Sequence, residues 1–204
     1  LRCGLRYIDS GAIYRAITLK LLRAPGAIEH AGGHLQQLEG VRIAQVFEES
    51  GRASTFLDGE NVSSEIRSEL IAKNIGRVSD NPDVRSYVNS LLRQWSRNDS
   101  IIMDGRDIGT VVFPDATLKI YLDASVDVRA ERRRAEYEES GKKVDFHDIK
   151  KQIIQRDVED RSRQFGALIR ADDAVYIDTS SMTRDEVIER ITDIVAPLCR
   201  ADRE

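Results

Sequence analysis

The chain has 204 residues, a net charge of −4 and 41% hydrophobic residues. This length suits one domain with its own core and room for an inserted subdomain. The nearly balanced charges exclude bulk disorder, the mild acidity argues against nucleic-acid binding, and no apolar stretch approaches the roughly 20 residues of a membrane span. Two cysteines, Cys3 and Cys199, form neither a disulfide framework nor a zinc-binding spacing and are typical of a cytoplasmic protein.

Four short apolar runs predict β-strands, and each run ends in an aspartate followed by a small residue. The runs cover Arg6–Asp9, Ser100–Asp104, Leu118–Asp123 and Ala174–Asp178. Because they lack polar alternation, they favour strands buried on both faces of a parallel sheet. Ligands of open α/β sheets bind at the carboxyl ends of the strands. We therefore expect the four aspartates to line a ligand-binding edge.

Helical spacing and capping residues predict helices between and after these strands. Pro82 suits the first turn of a helix capped by Asn81, Ser125 suits another cap, and Thr183 with Glu186 forms a capping box. The predicted helices cover residues 12–23, 63–78, a segment from 82, 126 to about 141, 145–164 and 184 to about 199. The order of strands and helices predicts a layered α/β fold.

One segment, near residues 38–98, interrupts this order and is predicted to be an insertion. Val41–Glu48 and Ala53–Leu57 read as antiparallel strands. A tight turn at Asp58–Asn61 follows, and Val62 is predicted to start a short third strand before two helices.

The segment Asp9–Arg15, with the sequence DSGAIYR, follows a predicted strand and opens a helix. The start of a helix offers free N–H groups and a positive dipole to an anion. Ser10 adds a hydroxyl, and Arg15, one turn later, can reach back to a phosphate. An ordinary strand–turn–helix corner with Ser10 as the helix cap fits the same residues.

The segment DGRDIGT follows the second predicted strand. A hydrophobic run that ends in an aspartate such as Asp104 is one way to place a carboxylate near Mg²⁺. Arg106 could bind phosphate, and Asp107 could accept hydrogen bonds from an amino-bearing base. The competing interpretation is a charged surface turn.

Three further arginine-rich patterns remain open on spacing alone. Arg156, Asp160 and Arg163 share one helix face, which suits either a binding surface or ordinary intrahelical ion pairs. The run containing Arg132 and Arg133 suits a lid over a polyphosphate or a helix neutralised by nearby acids. Arg85 alone reads as a surface residue.

Six motifs together resemble bacterial cytidylate (CMP) kinase. They are DSGAIYRA, VSSEIR, NPDVR, DGRDIGTVVFPDA, KIYLDAS and RDVEDRSR, and they occur in order from Leu5 to the C-terminal helix. The resemblance implies a single kinase domain over residues 1–204 with the three-layer P-loop kinase fold. That fold has a central five-stranded parallel sheet, an NMP-binding insertion at about 38–98 and a short lid at about 132–144.

The resemblance also implies an activity and roles for individual residues. The γ-phosphoryl group of ATP passes to CMP or dCMP in the presence of Mg²⁺, in a monomer with no nucleic-acid or membrane partner. Gly76 stands where relatives often carry a serine near the base. The implied CMP-binding residues are Ser10, Arg15, Arg85, Arg106, Asp107, Arg156, Asp160 and Arg163, with Arg132 and Arg133 as lid contacts to the ATP phosphates and Asp104 acting indirectly on the metal.

One family feature is absent from these 204 residues, namely the ATP-binding loop G-x-x-x-x-G-K-S/T. The opening residues LRCGLRYIDSG resemble the end of the helix that follows this loop. Either the sequence is a fragment of a working CMP kinase, or the protein is a non-catalytic CMP-binding remnant. We expect the 204-residue chain alone to be inactive as a kinase. A sister kinase that accepts UMP is a further alternative.

Overall fold

The computed structural model describes residues 5–24, 34–47, 53–97 and 99–201. Cys3 lies outside them. The chain divides into two compact units, Leu1–Ile108 and Gly109–Glu204. In the part of the chain that the structure describes, no helix is both long and apolar enough to cross a membrane.

The first unit combines a parallel strand pair, a small antiparallel sheet and four α-helices within its described residues. Its elements are β1 (Arg6–Asp9), α1 (Ser10–Arg23), α2 (His34–Leu38), β2 (Ile43–Phe47), β3 (Ala53–Leu57), β4 (Glu60–Asn61), a 3₁₀ turn (Glu65–Arg67), α3 (Glu69–Ser79), α4 (Pro82–Trp95) and β5 (Ile101–Asp104). A π-helical turn over Ile108–Val112 follows β5.

The core of the first unit lies around α1. This helix buries Ile13, Ala16, Ile17 and Leu21 completely and packs against β3, α3 and the 3₁₀ turn. Burying a side chain such as Ile or Leu contributes roughly 1.5–3 kcal/mol. Burial of this apolar face stabilises α1, and the first turn of the helix directly follows the last residue of β1.

The parallel pair in this unit is β1 with β5, and Asp9 stands opposite Asp104 at their ends. The antiparallel sheet has the order β2-β3-β4. Its turn places Asp58 at φ 52° and Gly59 at φ 92°, the positive values that a two-residue hairpin turn of type I′ requires. The third strand covers Glu60–Asn61, so the predicted start at Val62 was two residues late.

The described residues of the second unit form a parallel strand pair and three α-helices. Its elements are β6 (Ile120–Asp123), α5 (Val126–Glu139), α6 (Phe146–Ser162), β7 (Val175–Asp178) and α7 (Arg184–Ala201). Asp123 stands opposite Asp178 at the ends of β6 and β7, and α5 packs along α6. The predicted capping box is confirmed, because Thr183 Oγ1 accepts the N–H of Glu186 and the Glu186 carboxylate accepts the N–H of Thr183.

Two expectations about these elements were wrong. The strands that end in aspartate are not buried on both faces, since Ile102, Leu122 and Tyr176 are 40%, 51% and 46% exposed. Among the described residues these four strands form two parallel pairs, β1 with β5 in the first unit and β6 with β7 in the second. The helix predicted over residues 63–78 is split, because Ser68 is extended at ψ 159° between the 3₁₀ turn and α3.

Candidate functional site

The corner between β1 and α1 is fixed by polar contacts of two adjacent residues. Asp9, not Ser10, caps the helix, because its carboxylate accepts the N–H of Ala12 at 2.8 Å. The Ser10 hydroxyl instead donates to the backbone carbonyl of Asp104 at 2.8 Å. The interpretation of Ser10 as the helix cap is therefore wrong, and its hydroxyl joins the ends of the two parallel strands.

A cavity of about 280 Å³ opens at the start of α1. Arg15 enters its wall and donates to the carbonyl of Ile66 at 3.1 Å. The guanidinium groups of Arg15 and Arg67 outnumber the single carboxylate of Asp9 in the cavity lining, and together with the helix start they favour an anion such as phosphate. We call it the anion cavity, and its lining residues are Asp9, Gly11, Ala12, Arg15, Ile66 and Arg67.

Two residues of this region were missed by sequence reasoning. Arg67 lines the anion cavity, and its signal was the conspicuous VSSEIR motif, to which no residue role was attached. Gln45 on β2 is 6% exposed, and its side-chain amide bonds both backbone groups of Asp9. The sequence signal for Gln45 was a polar residue at a position that the alternation of buried and exposed residues along β2 turns toward the core.

Arg85 and Asp107 form a buried ion pair. Their side chains are 8% and 9% exposed, and Arg85 Nη2 bonds Asp107 Oδ2. A second guanidinium nitrogen donates to the Ser79 carbonyl at 3.0 Å, and the Tyr14 ring lies 5.8 Å away. The expectation of Arg85 as a lone surface arginine was wrong, because α4 turns this side chain inward onto the loop after β5.

Asp104, the last residue of β5, and Arg106, on the loop after it, are both exposed. The Tyr7 hydroxyl donates to the Asp104 carboxylate, and the Tyr7 pKa lies well above its ordinary value because of burial and this neighbouring negative charge. The described residues contain no group of three or more His, Cys, Asp or Glu side chains suited to a metal. Mg²⁺ usually takes one or two carboxylates plus substrate phosphates. Asp104 offers one exposed carboxylate, which is compatible in number with such a site.

The second unit brings together the predicted residues of α6. Asp160 is almost completely buried at 3% exposure, and Arg163 Nη2 bonds its carboxylate at 3.1 Å. Arg156 approaches the same carboxylate at 3.9 Å, yet its side chain is 71% exposed. The helix ends at Ser162, so Arg163 is its C-cap rather than part of the predicted helix face. Both arginines nevertheless approach the Asp160 carboxylate, with the negative charge inside and the Arg156 side chain largely exposed.

The two predicted lid arginines of α5 differ in their surroundings. Arg132 donates to the hydroxyl and carbonyl of Thr179 and to the carbonyl of Met182, at 2.6–3.1 Å. Arg133 pairs with Glu136 at 2.7 Å on the surface. Arg132 thus supports the loop after β7, which the sequence did not indicate.

The predicted site residues are distributed over both units. Ser10, Arg15, Arg85, Asp104, Arg106 and Asp107 belong to the first unit, and Arg132, Arg133, Arg156, Asp160 and Arg163 belong to the second. Within the first unit the structure places an anion cavity and a buried Arg–Asp pair. Within the second it places an Arg–Asp–Arg cluster.

Comparison with known proteins identifies the family of these motifs. The family model described as cytidylate kinase matches residues 1–197. The cytidylate kinase of Geobacillus sp. (strain WCH70) is 39% identical over 194 residues, which cover 95% of this chain and 86% of that protein. That of Fervidobacterium nodosum is 38% identical over 98% of this chain and 88% of its own length, and that of Pelotomaculum thermopropionicum is 41% identical over 92% and 83%. The chain belongs to the cytidylate kinase family.

Proposed function

We propose that this protein is an ATP-dependent kinase that phosphorylates CMP and dCMP, giving CDP and dCDP. The observation that carries the proposal is the anion cavity at the start of α1, found in a chain of the cytidylate kinase family. The coarse architecture, parallel strand pairs with helices, is compatible with the P-loop kinase fold of such enzymes. In that fold residues 38–98 act as the NMP-binding insertion and residues 132–144 as the lid.

The phosphate of the acceptor nucleotide binds in the anion cavity. Arg15 bonds its oxygens there and Arg106 approaches from the loop after β5, while the positive dipole at the start of α1 favours the negative charge. The predicted contact of Ser10 with the phosphate does not hold, because the Ser10 hydroxyl donates its proton to the Asp104 carbonyl. Arg67, which also lines the cavity, adds a further guanidinium. Two or more arginines are suited to this group because each guanidinium can bond two phosphate oxygens at once.

The base is recognised by the buried pair of Arg85 and Asp107. A carboxylate accepts from the exocyclic amino group of cytosine, and a guanidinium donates to its ring nitrogen or carbonyl. Uracil carries a carbonyl where cytosine carries the amino group, so it would meet the Asp107 carboxylate with no proton between them. We therefore expect CMP and dCMP to be preferred over UMP.

Within the second unit, the α6 cluster is suited to the hydroxyl groups of a nucleotide sugar. Arg156 and Asp160 hold the sugar hydroxyls, and Arg163 completes the pocket. Because Asp160 is buried and bonded to Arg163, its carboxylate is already oriented before the substrate arrives. Such prior orientation reduces the entropy that binding must remove.

Phosphoryl transfer needs positioning and charge neutralisation more than acid–base chemistry. An oxygen of the CMP phosphate attacks the γ-phosphorus, the bond between the β- and γ-phosphates breaks, and ADP leaves with the bridging oxygen. Arg132 and Arg133 bind the ATP phosphates, and Asp104 contributes to the Mg²⁺ site. Bound Mg²⁺ neutralises charge on the transferred group. Lid closure excludes water as a competing acceptor.

The test is an ADP-release assay on the protein expressed from its complete gene, with CMP, dCMP and UMP at equal concentrations. We expect activity with CMP and dCMP and much less with UMP. Asp107→Asn is the informative variant, because an amide can donate to the uracil carbonyl, so it should lose CMP activity and gain relative UMP activity. Preference of the unaltered protein for UMP, or no ADP release with any acceptor, would contradict the proposal.

A further inference from the structure

Gln45 occupies a position of β2 where the strand pattern calls for an apolar residue. Ile43 and Gln45 point into the core, whereas Ala44 and Val46 are exposed. A buried side-chain amide is unfavourable unless both of its ends are hydrogen-bonded. An amide at this inward position must therefore form hydrogen bonds with polar groups, which an aliphatic side chain could not do.

Both ends of the Gln45 amide bond a single residue, Asp9. The Asp9 N–H donates to Gln45 Oε1 at 3.0 Å, and Gln45 Nε2 donates to the Asp9 carbonyl at 2.8 Å. The amide thus occupies the place that a peptide group of a neighbouring strand would take at the end of β1. It holds the backbone of Asp9 in position and orientation.

Asp9 lines the anion cavity, and its polar contacts fix the position of the neighbouring residues. Its carboxylate caps α1 through Ala12, and Ser10, the next residue, bonds the carbonyl of Asp104. Asp9, Gly11 and Ala12 all line the anion cavity. The direction of the first turn of α1 therefore depends on where the Asp9 backbone is held.

We propose that Gln45 is a positioning residue for the acceptor phosphate, acting through Asp9 rather than by touching the substrate. This inference rests on the proposed function, which places the phosphate of CMP in the anion cavity. Through Gln45, the antiparallel sheet of β2, β3 and β4 controls the geometry of the helix start that binds the phosphate.

The main test replaces Gln45 with glutamate and measures the Kd for CMP by calorimetry from pH 6 to pH 8. A carboxylate at this position accepts the Asp9 N–H but offers no proton to the Asp9 carbonyl. A protonated carboxyl serves both groups, and burial raises the pKa of such a group. We expect Gln45→Glu to weaken CMP binding by about tenfold at pH 8 and to approach the unaltered protein as the pH falls.

The ratio of the Kd of the variant to that of the unaltered protein is the quantity to follow. Asp9, Asp104 and Tyr7, the titratable groups around this corner, are present in both proteins, as is the titrating phosphate of CMP. Their contributions therefore largely cancel in the ratio. In kinetic measurements, the KM for CMP should rise while the KM for ATP stays unchanged.

Two further variants separate positioning from general stability. Gln45→Met removes both hydrogen bonds and should weaken CMP binding equally at every pH. Thr55→Val changes the buried residue opposite Gln45 on β3, and it should leave the Kd for CMP unchanged even where it shifts the melting temperature.

Each outcome decides between the two proposals. Wild-type affinity in both Gln45 variants, or a Gln45→Glu ratio that does not change with pH, overturns the positioning role while the proposed function stands. Failure of the unaltered protein to bind CMP overturns both. A pH-dependent loss in Gln45→Glu beside a pH-independent loss in Gln45→Met supports the positioning role.

Discussion

Arg85 on α4 and Asp107 in the loop after β5 are joined by an ion pair whose two side chains are both more than nine-tenths buried. A buried pair of this kind contributes little net stability compared with apolar residues of the same volume, because desolvation of both charges offsets their attraction. In the proposed function this pair serves recognition, and its two side chains offer a donor and an acceptor to one face of the base.

The first prediction concerns removal of one member of this pair. Arg85→Met leaves the Asp107 carboxylate buried without its guanidinium, which costs about 3–5 kcal/mol in comparable cases. We expect the free energy of unfolding to fall by this amount in urea titrations. Calorimetry on the same protein should show no measurable CMP binding.

The double variant Arg85→Met/Asp107→Leu is the matched control. Since both charges are then replaced by apolar side chains, we expect most of the lost stability to return while CMP binding stays absent. Recovery of CMP binding together with stability would show that the pair serves only the fold.

The second prediction concerns the hairpin turn at Asp58 and its dependence on pH. The N–H of Arg42 and the ammonium group of Lys20 both bond its carboxylate, and they hold the pKa of Asp58 below its ordinary value. A depressed pKa in the folded state stabilises the protein above the ordinary pKa of an aspartate. This stabilisation is lost as the pH falls through the depressed value.

Asp58→Asn is the matched variant, because asparagine tolerates the positive φ of this position. We expect it to lower the free energy of unfolding at pH 7 by about 0.5–1 kcal/mol, since the group is partly exposed. The difference from the unaltered protein should shrink as the pH falls through the depressed pKa. Urea titrations from pH 2.5 to 7 measure it, and a difference that is constant over this range would contradict the assignment.

Local signals in the sequence predicted the elements well. The four strands ending in aspartate are present, and the helix caps at Asn81 and Ser125 are confirmed. Each of these features depends on residues within four positions of one another, so spacing alone reveals them. The split at Ser68 escaped prediction because the apolar pattern continues across it, whereas the backbone does not.

The spacing of residues along the sequence could not predict contacts between distant segments. Asp9 and Gln45 lie 36 residues apart, and Arg85 and Asp107 lie 22 apart. Nothing in the local pattern says which polar side chain will meet which backbone group once the chain is folded. The identities of Arg85 and Asp107 as candidate residues came from the resemblance, whereas their pairing required the structure.

The third prediction separates the two arginines of α5. Arg132 bonds Thr179 and Met182 across the unit, so Arg132→Met should lower the free energy of unfolding by about 1–3 kcal/mol. Arg133 pairs with Glu136 on the exposed face of the helix, where an ion pair contributes little. Arg133→Met should therefore change the free energy of unfolding by less than about 0.5 kcal/mol.

Thermal melts and the KM for ATP measure the two effects side by side. An increase in the KM for ATP without a shift in melting temperature in Arg133→Met would indicate phosphate binding by that side chain. An Arg132→Met protein that melts like the unaltered one would show that its bonds to the loop after β7 contribute nothing to stability.

The last prediction compares two glycines that have the same free space and different backbones. A Cβ at either Gly76 or Gly59 would meet no atom within 4 Å among the described residues. Gly76 lies inside α3, where glycine is less favourable than alanine by about 0.5–1 kcal/mol. Gly59 has a φ of 92°, which alanine rarely adopts. We expect Gly76→Ala to raise the melting temperature and Gly59→Ala to lower it. Because the free space is equal at the two sites, melting-temperature shifts of opposite sign would identify backbone conformation as the cause. Shifts of the same sign would contradict this explanation.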